Sequence, residues 1–344
     1  MAAPKRGDNL LEGNVISGNG RNGIDVGGTN GNVLRGNLIG SDAGGTVAIP
    51  NDSYGVRVSY RHADFLVEGN LVSGNGSHGI RSFASGSRRE RRRLILGNLI
   101  GTDATGARPL PNSGDGINLD SGSRHVIGGD DPGAENVIAF NLGDGVRVSG
   151  VDSFQDAIRG NSIFSNGGKG IELETGGNLG LESPVIAGLS PVSGTACPAC
   201  TVDVYSDGED EGRLFHGSTV ADGSGRWTFG GQVSGPNVTA TSTDPEGNTS
   251  EFSAPLALPT PAPAVSSTPT AVAPPAATPA PSPTPVALGV SQFPSGGGSP
   301  NAATGSAGAS LPIAGTIAVG VAVLLALSVG SVLAVQRTRG SNRH

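Results

Sequence analysis

The 344 residues carry 58 glycines and 24 prolines, 4% aromatic and 15% charged side chains, and a formal charge of −7. So much glycine excludes a helical globule and suits a turn-dense repeat. The mild acidity argues against a nucleic-acid surface, which needs a basic stripe.

The chain opens Met-Ala-Ala-Pro-Lys-Arg-Gly-Asp, a positive start with no apolar run behind it, so no signal peptide is read there. By Gly13 the repeat has already begun. A solenoid needs an end that shields its first core layer. The expectation is therefore an N-terminal truncation, with a signal peptide and further repeat units upstream.

The repeat has two elements. The first is Asn followed by two apolar positions, as in Asn14-Val-Ile, Asn37-Leu-Ile, Asn70-Leu-Val, Asn98-Leu-Ile, Asn136-Val-Ile and Asn161-Ser-Ile. The second is Gly-Ile/Val-x-apolar, beginning at Gly23, Gly55, Gly116, Gly145 and Gly170, with a shorter match at Gly79-Ile80-Arg81. A period of about 25 to 35 residues marks a solenoid. Within the second element apolar residues alternate with Asp25, Arg57, Arg81, Asn118, Arg147 and Glu172, which is the period of a half-buried strand. The fold class expected is all-β: a right-handed parallel β-helix over residues 1–182. Its asparagines Asn14, Asn37, Asn70, Asn98, Asn136 and Asn161 stack into an amide ladder. Two long loops, residues 41–53 and 102–114, should protrude on one side and offer a binding surface. The basic run Ser-Arg-Arg-Glu-Arg-Arg-Arg at 87–93 reads as a solvated loop insertion.

Residues 183–256 read as a small β-sandwich of short alternating strands, with Trp227 and Phe229 on one face as core. Residues 257–310 are Pro, Ala, Thr, Ser and Gly, a spacer that cannot bury enough apolar surface to order itself. Residues 311–335 are uncharged and apolar, long enough to cross a bilayer core of about 30 Å. The arginine-bearing tail 336–344 then belongs on the cytoplasmic side, leaving the bulk of the chain outside. Small residues at Ala314, Ala318, Ala322, Ala326, Gly330 and Ala334 line one face of that span, where a second helix could approach.

The stretch Asn98-Leu-Ile-Gly-Thr-Asp-Ala-Thr-Gly-Ala-Arg-Pro-Leu-Pro-Asn112 and its sister copy from Asn37 to Asn51 resemble the rung motif of bacterial surface proteins with pectin-lyase-like parallel β-helix repeats. The resemblance covers roughly residues 7 to 182 and implies the fold more than any activity, because that superfamily holds lyases, hydrolases, tailspikes and inactive proteins. Thr243-Asp-Pro-Glu-Gly-Asn-Thr-Ser-Glu-Phe252 resembles the end of bacterial Ig-like domains. Leu311-Pro-Ile-Ala-Gly315 resembles a cell-wall sorting signal, with Ala314 in place of the usual threonine. A proline in the first turn of a plain membrane helix accounts for the same letters.

Chemistry on such a face needs paired carboxylates, or a basic residue with Ca²⁺ beside a uronate. The outward stripe is mixed in sign with no adjacent carboxylate pair, so no catalytic residue is assigned. Asp103, Asp115 and Asp120 form the best acidic group, although loops also use Asp for turns. His62, His78, His125 and His216 show neither metal spacing nor a Ser/Asp partner in register. Cys197-Pro-Ala-Cys200 precedes a strand, which favours a local disulfide over a redox or zinc site. Of two acidic runs, at 207–211 and 244–248, the second offers Asp244, Glu246 and Asn248 as Ca²⁺ ligands; turn chemistry accounts for both. The reading is a membrane-anchored extracellular protein presenting a passive surface for adhesion or carbohydrate contact, without nucleic acid. The alternative is a carbohydrate-active enzyme.

Overall fold

A computed structural model describes residues 9–27, 31–59, 64–83 and 93–259. Among them His62, residues 87–92 of the basic run, the spacer from residue 260, the apolar segment with its small-residue face, the Leu-Pro motif and the tail are not included.

Six rungs, each of three short strands, stack into three six-stranded parallel sheets. The first rung comprises Leu10–Glu12, Val15–Ile16 and Ile24–Gly27, and the last comprises Ala157–Arg159, Ser162–Phe164 and Ile171–Glu174. Corresponding strands pair in register throughout, the arrangement of a parallel β-helix. The second and third sheets hold the two sequence elements. The first sheet was not read from the sequence: Asn32–Arg35, Phe65–Glu68, Arg93–Leu96 and His125–Gly128 are its middle strands.

Inside, each apolar position lies over its equivalents. Ile16, Ile39, Val72, Ile100, Ile138 and Ile163 form one column, and Ile24, Val56, Ile80, Ile117, Val146 and Ile171 another. β-branched side chains suit this because they pack laterally on a pleated surface. Nearly all are fully buried in a single apolar cluster. The corners depend on glycine. Gly97 precedes a ladder asparagine with φ +64°, and a Cβ on Gly79 would meet Gly116 O at 2.7 Å.

The long loops stack on one another across the short third rung, Ala104 N donating to Gly45 O at 2.8 Å. Arg93, the end of the basic run, is not solvated; it faces inward, 2% exposed, and its Nη1 donates to Ser123 O at 2.6 Å.

After a short 3₁₀ turn at Gly177–Gly180 come antiparallel strands in a three-stranded and a four-stranded sheet. Their core gathers Val192, Val202, Val204, Trp227, Phe229, Val238 and Ala240. This β-domain closes the end of the solenoid. Ile163 N donates to Gly212 O at 3.0 Å and Gly212 N to Ile163 O at 2.9 Å. Gly160 N donates to Tyr205 Oη at 3.0 Å, Ile158 N to Thr249 Oγ1 at 2.9 Å, and Phe252 packs against the solenoid core. Edge donors of the last rung that would otherwise face solvent or a new strand are thereby satisfied. Among the described residues, no helix is long and apolar enough to cross a membrane.

Candidate functional site

The outward face of the third sheet carries three adjacent columns. Asp25, Arg57, Arg81, Asn118, Arg147 and Glu172 form the middle one. Beside it run Gly27, Ser59, Phe83, Asp120, Ser149 and Glu174. On the other side, one residue before each glycine, stand Asn22, Tyr54, His78, Asp115, Asp144 and Lys169. The glycine N–H of each rung, from Gly23 to Gly145, bonds the carbonyl of the next member of that column at 2.8–3.1 Å. The sequence reading missed this column, although the same Gly-Ile period marks it.

Arg81 is its hub. The guanidinium donates to Tyr54 Oη and to Asp120 Oδ2, the latter at 2.8 Å, and lies 5.2 Å from the Tyr54 ring centre. Tyr54 and His78 stack in parallel with centroids 5.6 Å apart. Arg57 pairs with Asp25 at 3.3 Å, and Arg147 with Glu174. Such exposed pairs add little stability, about 0–1 kcal/mol each. Their effect is to hold charged side chains in place on a flat face. Next to them a groove of about 560 Å³ opens between Arg21, Asp25, Asp52, Tyr54, Arg57 and Arg81. It lies where the first long loop rejoins the sheet, and its lining includes none of the residues at that loop's tip.

His78 Nδ1 accepts the Asp115 backbone N–H at 2.9 Å, so its proton sits on Nε2 and the 3.3 Å approach to Asp115 Oδ2 is not an ion pair. Burial, with help from Arg81 and Arg147 and against Asp115, pushes the imidazole below its ordinary value. Asp115 accepts from Asn118 Nδ2 at 2.7 Å and from Asp144 N at 3.0 Å. This buries Asn118 on the nominally outward face. Burial, ahead of the Asp115 and Glu172 charges, raises the Asp144 carboxyl.

The acidic trio does not assemble. Asp103 closes its own turn through Thr105 and Arg108, Asp115 joins His78 and Asn118, and Asp120 pairs with Arg81. Asp244 accepts the N–H and the amide of Asn248 at 2.8 and 2.7 Å, while Asn248 Oδ1 accepts Gln155 N at 2.6 Å. Those oxygens close a turn and tie it to the solenoid. The described residues hold no group of three or more His, Cys, Asp or Glu placed to bind a metal. Cys197 and Cys200 are joined as a disulfide.

Two amide ladders run through the solenoid. Asn14, Asn37, Asn70, Asn98, Asn136 and Asn161 each pass an Nδ2 donor to the Oδ1 of the next at 2.9–3.0 Å. Asn19, Asn51, Asn75, Asn112, Asn141 and Asn166 form a second at 2.7–3.0 Å, unseen in the sequence reading because it falls in loops of unequal length.

Contrary to expectation, all three described histidines have a Ser or Asp partner, the first being His78 beside Asp115. His216 Nε2 lies 2.8 Å from Ser206 Oγ. His125 sits between Ser82 Oγ on Nε2 and Asp156 Oδ1 on Nδ1, each at 2.8 Å. That order is the one a nucleophile, base and orienting acid adopt. All three side chains are 0% exposed, so no substrate can reach them and the network is part of the core. Stacking of the rungs brings Ser82 and His125, each on a strand, to Asp156 just before the strand Ala157–Arg159, which spacing alone does not reveal.

No protein-family model matches the chain, and no curated protein matches it.

Proposed function

We propose that the chain is a non-catalytic, membrane-anchored extracellular surface protein whose β-helix contacts carbohydrate through the outward face of its third sheet. The observation that carries this is the groove beside Tyr54, Arg57 and Arg81. There a flat aromatic ring, fixed guanidinium donors and carboxylate acceptors face solvent together, as recognition of a polyhydroxylated ligand needs. On this reading the solenoid takes the right hand usual for parallel crossovers. The C-terminal β-domain is Ig-like, the Pro-rich segment is a spacer, and residues 311–335 are the anchor, in a protein of bacterial cell-surface type. A calcium role for Asp244, Glu246 and Asn248 adds nothing to this reading. Equilibrium binding of the full-length chain to a panel of neutral and acidic glycans tests it: Arg81→Ala and Tyr54→Ala should each weaken binding. Binding that neither variant changes would move the contact elsewhere.

One observation favours a second reading, the carbohydrate-active enzyme. Asp115 and Asp144 stand on neighbouring rungs, Asp144 N donating to Asp115 Oδ1 at 3.0 Å, and burial raises the Asp144 carboxyl. Glycoside cleavage divides acid and base roles between two carboxyls.

A further inference from the structure

The two amide ladders end differently. At the end of the second ladder, Asn166 donates its Nδ2 to Glu211 Oε1 at 3.1 Å and its backbone N–H to Glu211 Oε2 at 3.3 Å. These are the donors that earlier members pass to the asparagine above, as Asn75 N and Nδ2 do to Asn112 Oδ1 at 3.1 and 2.9 Å. A carboxyl from the β-domain thus occupies the seventh place in a column of amides.

That place suits a neutral group. Glu211 is 4% exposed. The charged groups around it are Asp207 and Asp210 on its own loop, Arg213 two residues on, and Lys169 at the edge of the last rung. Lys169 is engaged by Glu172 and Glu251, and the Arg213 guanidinium lies 4.5 Å from the Phe164 ring centre. No cation among the described residues pairs with Glu211, while two like charges face it. Thr239 Oγ1 donates to the Glu211 carbonyl at 2.6 Å, Gly212 exchanges two hydrogen bonds with Ile163, and Ser162 Oγ donates to Arg213 O at 2.7 Å. The same short segment therefore carries both the carboxyl and the strand-like closure of the second sheet.

We propose that Glu211 makes the docking of residues 207–213 on the last rung proton-dependent. The protonated carboxyl holds the segment on the end of the ladder, and ionisation loosens it, opening the end of the solenoid's second sheet. Burial pushes the Glu211 carboxyl up to about 7; the two Asn166 hydrogen bonds pull against burial, and Asp207 and Asp210 push with it. The group binds its proton more tightly docked than undocked. Its contribution is complete below the ordinary carboxyl value of 4.5 and is lost as pH rises through about 7.

Amide hydrogen exchange of the full-length chain, corrected for the intrinsic pH dependence of exchange, tests this between pH 5 and pH 8. The opening equilibrium of the Ile163, Asn166 and Gly212 amides should rise by roughly 100-fold. The Asn98 amide, in the ladder interior, should stay flat. Glu211→Gln, which keeps the acceptor and removes the charge, should flatten the response at the joint. Asp210→Asn, which removes one like charge, should lower the pH of the wild-type midpoint and stands in if the glutamine variant does not fold. A flat wild-type profile, or a wild-type response that survives Glu211→Gln or is unmoved by Asp210→Asn, overturns the proposal.

Discussion

The solenoid and the β-domain both bury an apolar cluster, but in the solenoid ladders of buried amides run beside it. In the β-domain, Trp227, Phe229 and six aliphatic residues close two small sheets on each other. In the solenoid, apolar columns share the interior with two asparagine ladders and the Ser82–His125–Asp156 network. Strands of two to four residues cannot fix their neighbours by apolar contact alone, since a slip of one rung would repeat nearly the same surface. Amides stacked at turns restore register, because a buried amide out of step loses its partner. The lesson is that the solenoid should fail by loss of polar partners and the β-domain by loss of volume.

The largest effects should come from breaking each region in its own way. His125→Leu removes the imidazole from the buried Asp156 carboxyl, leaving it the backbone N–H of residue 125, and should cost about 3–5 kcal/mol in chemical denaturation. Adding Asp156→Asn should recover part of that, and no recovery would argue for simple overpacking instead. Trp227→Ala should cost a similar amount, about 3–5 kcal/mol, through the cavity it leaves. Here restoring a polar group should recover nothing.

Smaller losses distinguish the two ladders from the surface. Asn98→Leu should cost about 1–3 kcal/mol by orphaning its partners in Asn70 and the Val67 carbonyl. Asn112→Leu in the second ladder should match it. If only one of the two mattered, one ladder would be incidental. Arg57→Ala, whose side chain is 39% exposed and, among the described residues, tied only to Asp25, should change stability by less than about 0.5 kcal/mol. Thermal unfolding that ranked Arg57→Ala above Asn98→Leu would invert the assignment of inside and outside.

The stacked strands were legible because Gly-Ile-x-Val and Asn-apolar-apolar each repeat with their turn residues attached. The first sheet was not, since its inward first position is Asn32, Phe65, Arg93 and His125 in turn, four chemistries in one column. A sequence pattern keyed to apolarity has nothing to match there. Arg93 illustrates the cost: read as the end of a solvated basic run, it is core. On the site, the middle column was visible from alternation. Tyr54, His78 and Asp144 were not, because a residue before a glycine looks like turn chemistry until the rungs are stacked.

The most direct test of the passive-surface reading is turnover. The full-length chain is incubated with each glycan it binds, and the product length distribution is followed for wild type, Arg81→Ala and Asp144→Asn. The expected result is binding that Arg81→Ala weakens, with glycan chain length unchanged in every case. Shortening of a glycan by wild type that Asp144→Asn abolishes would contradict it and make the groove face an active site.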